Sequence, residues 1–474
     1  MTIAELVAGA AARWGGRVFV TDEAGRAWSF AETAERARAA AGALAARGVG
    51  AGDRVALMAH NSAEFVAAWL GAVLAGAAVV PISTVSAPPE VAARVAQARC
   101  KLVVDDALAS ELVRGAPLPS LPAIAGDAVA QILFTSGTTG VAKAAAVSHA
   151  SLVAHTRNVA RTVGLGADDV VLGALPLAHS FGCRMVMLLA LATGARIVLM
   201  PRFEAARALA LLDAEGVTFW PAVPTMLAAV CGAHEQSDGP APRALAWVLS
   251  AGAPLADALC RRAEARLGCE VRQGYGLTEA SFSTIDAPPA PRAIGSVGRP
   301  VAGVEVRIAA DGEVEVRGPH RMLGYVDDEA ATAQVVDGDG WLRTGDVGRL
   351  DGDGRLWIVD RKKDLIIRGG NNVYPSEVEA ALAAHPDVAD VAVVGRPDDY
   401  FGEEVVAVVV ARRGHTADAD ALTEFARARI AATKVPREFA FVDALPLGPS
   451  GKVHKRELRA RLADGRLPTT KPSR

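Results

Sequence analysis

The sequence predicts an α/β fold. A large N-terminal domain of parallel β-sheets covered by helices, with a small β subdomain, is expected to precede a smaller α+β C-terminal domain. Three observations carry that expectation. From Ser29 onward, apolar residues spaced three and four apart alternate with short apolar runs, the pattern of strand–helix–strand units. One such run empties into a cluster of small hydroxyls and glycines ahead of Lys143, and sheets of this kind gather ligands at the carboxyl ends of their strands. After Ile285 the texture changes to glycine-rich short strands, and a fresh α+β pattern begins near Asp360.

Taken in order, a helix is expected over Phe30–Ala46, stopped by Gly48 and Gly50. A strand at 54–58, a helix at Ala63–Leu74 and a strand at 78–82 follow, and the alternation recurs around Val103, Val170, Ile197, Val217 and Trp247. Short strands are expected at 270–272, 303–308, 312–316, 355–359 and 365–367. The domain boundary is placed at Asp360, giving domains 1–359 and 360–474, the second of an ordinary size for a small domain. The tail from Asp464, with two prolines, reads as frayed.

Composition narrows the function classes. With 51% hydrophobic and 22% charged residues, the 474-residue chain can bury a large core. A formal charge of −3 without a basic stripe argues against nucleic acid. Five scattered cysteines with no C-x-x-C pair argue against structural zinc and a disulfide framework, so a reduced, cytoplasmic protein is expected. The N-terminus lacks a basic start and apolar core, so no signal peptide is expected. The most apolar stretches, 65–82 and 181–200, are interrupted by Gly71, Gly76 and Pro81 or by Arg184, Gly194 and Arg196, which argues against a membrane span.

The run 131–143, Gln-Ile-Leu-Phe-Thr-Ser-Gly-Thr-Thr-Gly-Val-Ala-Lys, has the chemistry of a phosphate cradle. Gly137 and Gly140 free backbone N–H groups to face an anion, Thr135, Ser136, Thr138 and Thr139 add donors without bulk, and Lys143 adds a point charge. The Walker pattern fails, because Ala142 stands where its second glycine belongs and Ala144 follows the lysine. In isolation the run is equally an ordinary Ser/Thr/Gly turn. At 273–279, Gln-Gly-Tyr-Gly-Leu-Thr-Glu, Tyr275 lies between Gly274 and Gly276 at a strand end, where its ring can lie flat on a base. Glu279 follows one helical turn later as the single carboxylate from which Mg²⁺ is commonly held together with phosphate oxygens, although a β-turn with an incidental glutamate fits as well. Further along stand Thr344-Gly345-Asp346, a charge-rich run from Asp360 leading to Gly369-Gly370, and Ser450-Gly451-Lys452 near the end. Each has a plain surface reading when taken alone. His179, on the stretch 175–182, would by default be a satisfied core histidine.

In this order, these runs resemble the acyl-adenylate-forming superfamily, of the acyl- or aryl-CoA ligase type, over most of the chain. The resemblance implies that residues 135–140 and Lys143 hold the β,γ-phosphates of ATP, that Tyr275 packs on adenine between its two glycines, and that Thr278 meets the α-phosphate. It implies Glu279 as the Mg²⁺ ligand, Asp346 as the ribose contact, Arg361 as a second ribose or phosphate contact, and Gly369-Gly370 as bare backbone lining a coenzyme A (pantetheine) tunnel. Asp360 becomes the hinge of a mobile C-terminal domain that carries Lys452 into the site for adenylation, and His179 faces the acyl group. The chain departs from the family loop at Ala142 (for Pro) and Ala144 (for Gly), changes that remove no phosphate donor. The implied reaction is ATP-dependent activation of a carboxylic acid followed by thioester formation with coenzyme A. The alternatives are transfer to a carrier-protein phosphopantetheine or an amine, and a catalytically weak nucleotide-binding protein. The 178–182 stretch has no acid to pair an α-amine, and Gln273 stands where a dicarboxylate site would want an arginine. An aryl or medium-chain aliphatic acid facing Trp220, His179, Phe181 and Phe282 is therefore expected, in a monomer or homodimer.

Overall fold

The computed structural model describes the chain apart from Ala24, residues 136–141, Asp238, residues 448–452 and Arg474. It divides into two compact units, Met1–Arg307 with Glu315–Arg343 and Gly352–Leu356, and Ile308–Val314 with Thr344–Asp351 and Trp357–Arg474.

The first unit is built on two sheets. In the larger, five neighbouring strand pairs running from Glu270–Leu277 through Trp247–Ser250, Phe219–Ala222, Val170–Gly173 and Arg196–Leu199 to Val18–Thr21 are parallel. Antiparallel strands close both edges. In the smaller, Val129–Phe134, Ala78–Pro81, Arg54–Leu57 and Leu102–Val104 are parallel, and Ala144–Ser148 and Gly324–Tyr325 add an antiparallel margin. The helices Phe30–Ala46 and Ala63–Leu74 occupy the expected residues, each opened by a serine cap, Ser29 and Ser62. They pack closely because the facing surfaces are small: a Cβ on Gly71 would come within 2.6 Å of the Ala40 Cβ and 2.8 Å of the Ala37 carbonyl. The alanine-rich composition is thus a packing device in this layer.

Two local expectations change. The strand at 270–272 continues to Leu277 and turns back at once into Ser281–Ile285, so Thr278 and Glu279 lie in a hairpin turn and not on a helix. The strand expected around Val217 begins two residues later, at Phe219.

The second unit centres on a long antiparallel pair, Val388–Asp398 with Gly402–Ala411. Glu438–Phe441 runs parallel to the latter, and the hairpin Ile366–Arg368/Asn371–Val373 joins the same edge. The helices Pro375–Ala383 and Ala419–Arg427 bury Val378, Leu382, Leu422 and Ala426 against one core, and Lys455–Ala463 brings Leu458 and Leu462 to a second. The tail is not frayed. Leu467 is buried, and Thr470 exchanges backbone hydrogen bonds of 2.9 and 2.7 Å with Phe439.

Candidate active site

The candidate phosphate loop joins two antiparallel strands. Phe134 pairs with Ala144 and Leu133 with Ala145, and Thr135 N–H donates to the Lys143 carbonyl at 2.9 Å, closing the base of the loop. Ser136, Gly137, Thr138, Thr139 and Gly140 lie outside the described residues, while Thr135 and Lys143 stand at its two mouths. The Lys143 ammonium sits 4.9 Å from the ring centroid of Tyr325, a cation–π contact. Tyr325 is held there because its short strand pairs with the loop's exit strand, Tyr325 opposite Ala145. Its hydroxyl donates to Glu279 Oε1 at 2.9 Å, and Met322 N–H donates to the Glu279 carbonyl at 2.7 Å. Burial and the Glu279 carboxylate push the Tyr325 phenol well above its ordinary range, so it stays a donor. A lysine at the mouth of the loop and the expected metal carboxylate are therefore joined through one phenol. Tyr325 was not legible as a site residue: one of four tyrosines in the chain, it acquires its place by strand pairing across about 180 positions.

The candidate adenine motif, 273–279, is part of a tight hairpin. A Cβ on Gly276 would lie 1.9 Å from the Ser281 carbonyl, and one on Gly274 would lie 2.8 Å from the Phe282 ring. Ser281 has φ +51°, in the left-handed region. The glycines thus serve close backbone and ring packing, with Tyr275 and Thr278 half-buried on the same hairpin.

Of the acyl-site candidates, Phe181 and Phe282 meet edge to face at 5.1 Å. Trp220 is fully buried within its strand. His179 is exposed, and its Nδ1 accepts from Phe181 N–H at 3.4 Å, which caps the turn that begins the helix. Beyond this wall lies a layer that the sequence did not signal. His155 Nε2–H donates to the Phe282 carbonyl at 3.3 Å, His320 Nε2 meets Ser283 Oγ at 3.1 Å, and the two rings stack at 6.2 Å. Burial and the nearby Arg184 hold both imidazoles neutral, His155 well below its usual value and His320 down to about 3.

In the second unit the two nucleoside candidates meet. Arg361 Nε lies 3.3 Å from Asp346 Oδ1, and Asp346 is buried. Thr344 Oγ1 donates to the Val314 carbonyl at 2.7 Å and accepts from Asp346 N–H at 3.1 Å, fixing the turn that presents the carboxylate. Asp360 accepts from Ser376 N–H at 2.8 Å, tying itself to the start of the helix Pro375–Ala383. Gly369 and Gly370 form a two-residue hairpin loop between Arg368 and Asn371, with φ +54° and +79°. That is the type I′ pattern, which demands residues tolerant of positive φ. Lys452 lies outside the described residues. Lys455 pairs with Glu379 at 2.7 Å, a half-buried carboxylate whose pKa desolvation raises.

Among the described residues no group of three or more His, Cys, Asp or Glu side chains could hold a metal ion. A single oriented carboxylate such as Glu279 fits a hard cation that takes its remaining ligands from phosphate and water.

The family model for AMP-binding enzymes matches residues 7–326, and that for the AMP-binding enzyme C-terminal domain matches 377–452. A 3-[(3aS,4S,7aS)-7a-methyl-1,5-dioxo-octahydro-1H-inden-4-yl]propanoyl:CoA ligase of Rhodococcus jostii is 35% identical, over 91% of this chain and 93% of its own. Feruloyl-CoA synthase of an Amycolatopsis species is 36% identical, over 92% and 94%. The structure of ATP-bound MatB from Rhodopseudomonas palustris superposes with a TM-score of 0.90 at 30% identity, covering 98% of this chain and 99% of that one.

Proposed function

The chain belongs to the AMP-binding enzyme family and is an ATP-dependent acid–CoA ligase of the acyl-adenylate-forming type, and from that premise we propose the roles of its residues and the class of its acid. In the first half-reaction the substrate carboxylate attacks the α-phosphorus of ATP and pyrophosphate leaves. In the second, the thiol of coenzyme A attacks the acyl carbon and AMP leaves. Displacement at phosphorus is catalysed mainly by positioning and charge neutralisation. Thr135, Lys143 and the loop between them receive the β,γ-phosphates, Tyr275 packs on adenine, Thr278 meets the α-phosphate, and Asp346 with Arg361 binds the ribose. Glu279 would hold Mg²⁺, which would neutralise phosphate charge. The observation that carries this reading is the chain Lys143–Tyr325–Glu279, which sets a loop cation and the metal carboxylate in one array.

The acid is aryl or medium-chain aliphatic and sits against Phe181 and Phe282, with His179 at the entrance. Residues 360–474 act as the mobile domain, turning about Asp360 so that Lys452 serves adenylation and Gly369-Gly370 serves the thiol. The five unpaired cysteines suit a cytoplasmic enzyme. ATP–pyrophosphate exchange across a panel of acids, followed by mass detection of the thioester on adding coenzyme A, is the test. Acid-dependent exchange with aryl or medium-chain acids is expected; exchange confined to long-chain or α-amino acids would overturn the substrate class.

A further inference from the structure

The first unit buries one cation without a visible counterpart. Arg184 is 2% exposed, its Nε and Nη2 have no hydrogen-bond partner, and among the described residues no carboxylate acts on it. A guanidinium stripped of water and left unpaired is costly, and buried charges in proteins are ordinarily paired. The groups around it do not answer it: His155 and His320 are neutral, and the adjacent Cys183 thiol, pushed up to about 12 by burial, accepts only the Gln131 amide at 3.6 Å. Arg184 sits in the π-helical turn Cys183–Leu188, a rare geometry that is frequent at functional sites.

Its position is tied to the acyl wall. Arg184 follows Phe181 by three residues on one continuous helical stretch. Phe181 packs on Phe282, and Phe282 and Ser283 in turn carry the hydrogen bonds to the two histidines beside Arg184. The aromatic pair and the orphaned guanidinium are thus successive layers of one wall.

We propose that Arg184 is the specificity-determining counter-ion for a second anionic group, a carboxylate or sulfonate, at the end of the substrate remote from the carboxylate that is adenylated. This rests on the acyl chain lying against Phe181 and Phe282. The substrate class is then an acid whose apolar middle crosses the aromatic pair and whose far end is negatively charged. The distal group takes no part in bond making; it supplies the acceptors that Arg184 lacks. Gln273, at the position where the family resemblance would seek such an arginine, leaves this role open for a residue elsewhere on the wall.

The test is kcat/KM for thioester formation on acids matched in length, hexanedioate against hexanoate and 4-carboxycinnamate against cinnamate. The wild-type enzyme is expected to favour the doubly charged member by at least about 30-fold, the scale of a charge-assisted hydrogen bond. Arg184→Met is expected to reverse that preference, with the single acids improving, and Arg184→Lys to fall between. A wild-type preference for the single acids overturns the proposal whether or not the variants fold, and so does an unchanged ratio in a folded Arg184→Met enzyme. Phe282→Ala, run in parallel, separates the two levels. If it alters selectivity while Arg184→Met does not, the acyl slot stands and the counter-ion falls; if neither alters it, the slot assignment fails as well.

Discussion

Glu279 and Tyr325 form the residue pair on which the catalytic reading turns. Replacing Glu279 by Gln keeps the shape and removes the charge proposed to hold the metal. Pyrophosphate exchange is expected to fall at least about 100-fold, on the scale reported for loss of one preorganised electrostatic group. Tyr325→Phe leaves the carboxylate but frees it from its 2.9 Å hydrogen bond, and a smaller fall of about 5- to 10-fold, about 1 kcal/mol, is expected in the same assay. His155 and His320 make a second residue-scale prediction. Their folded pKa values lie below the unfolded value near 6.5, so the unfolded chain binds more protons as the solution acidifies. The stability they confer is complete above pH 6.5 and is lost progressively as pH falls, for His320 toward about 3. Between pH 6.5 and 5 His320 should cost about 2 kcal/mol in urea unfolding, with His155 acting in the same direction, and His320→Gln should remove its share of that slope. These residues mark the limit of what sequence could give. Glu279 was legible because it sits in a short motif, whereas Tyr325, Arg184 and the histidines acquire their meaning from contacts across many tens of residues.

At the scale of elements, the Gly369-Gly370 hairpin separates two explanations for one pair of glycines. The loop requires positive φ at both, and a Cβ on Gly369 would also lie 3.1 Å from the Phe401 ring. Gly370→Ala meets no atom within 4 Å, so its cost is backbone strain alone, about 1–2 kcal/mol of stability. Chemical denaturation measures that cost. If the glycines also line the coenzyme A path, thiolysis of a supplied adenylate should slow beyond what the stability loss explains, and adenylation should not. The helices Phe30–Ala46 and Ala63–Leu74 were readable because periodicity and cap agree. The hairpin at 277–281 was not, because its turn residues Thr278, Glu279 and Ala280 include no glycine, proline or asparagine, and the positive φ falls on Ser281. The docked tail was misread for a related reason: its prolines suggested disorder, while Leu467 and Thr470 supply the anchor.

At the scale of the molecule, the prediction concerns the division of labour between half-reactions. Lys452→Ala should abolish acid-dependent pyrophosphate exchange yet leave coenzyme A attack on a supplied acyl-adenylate close to wild type. Loss of both reactions would overturn the proposed exchange of roles on the C-terminal domain, and loss of neither would overturn the assignment of Lys452. The strand order of the two sheets could be anticipated in kind from the alternation along the chain, but their antiparallel margins could not, since residues such as Gly324 and Tyr325 are too few to show a period.

Those two residues have a thermodynamic consequence. Zipped to the strand that leaves the proposed phosphate loop, they carry the phenol that grips Glu279, so any shift of that strand on nucleotide binding would also move the carboxylate proposed as the cation ligand. Triphosphate and divalent ion then titrate as linked ligands: each should tighten the other's grip by an equal factor, and Tyr325→Phe should loosen that reciprocity.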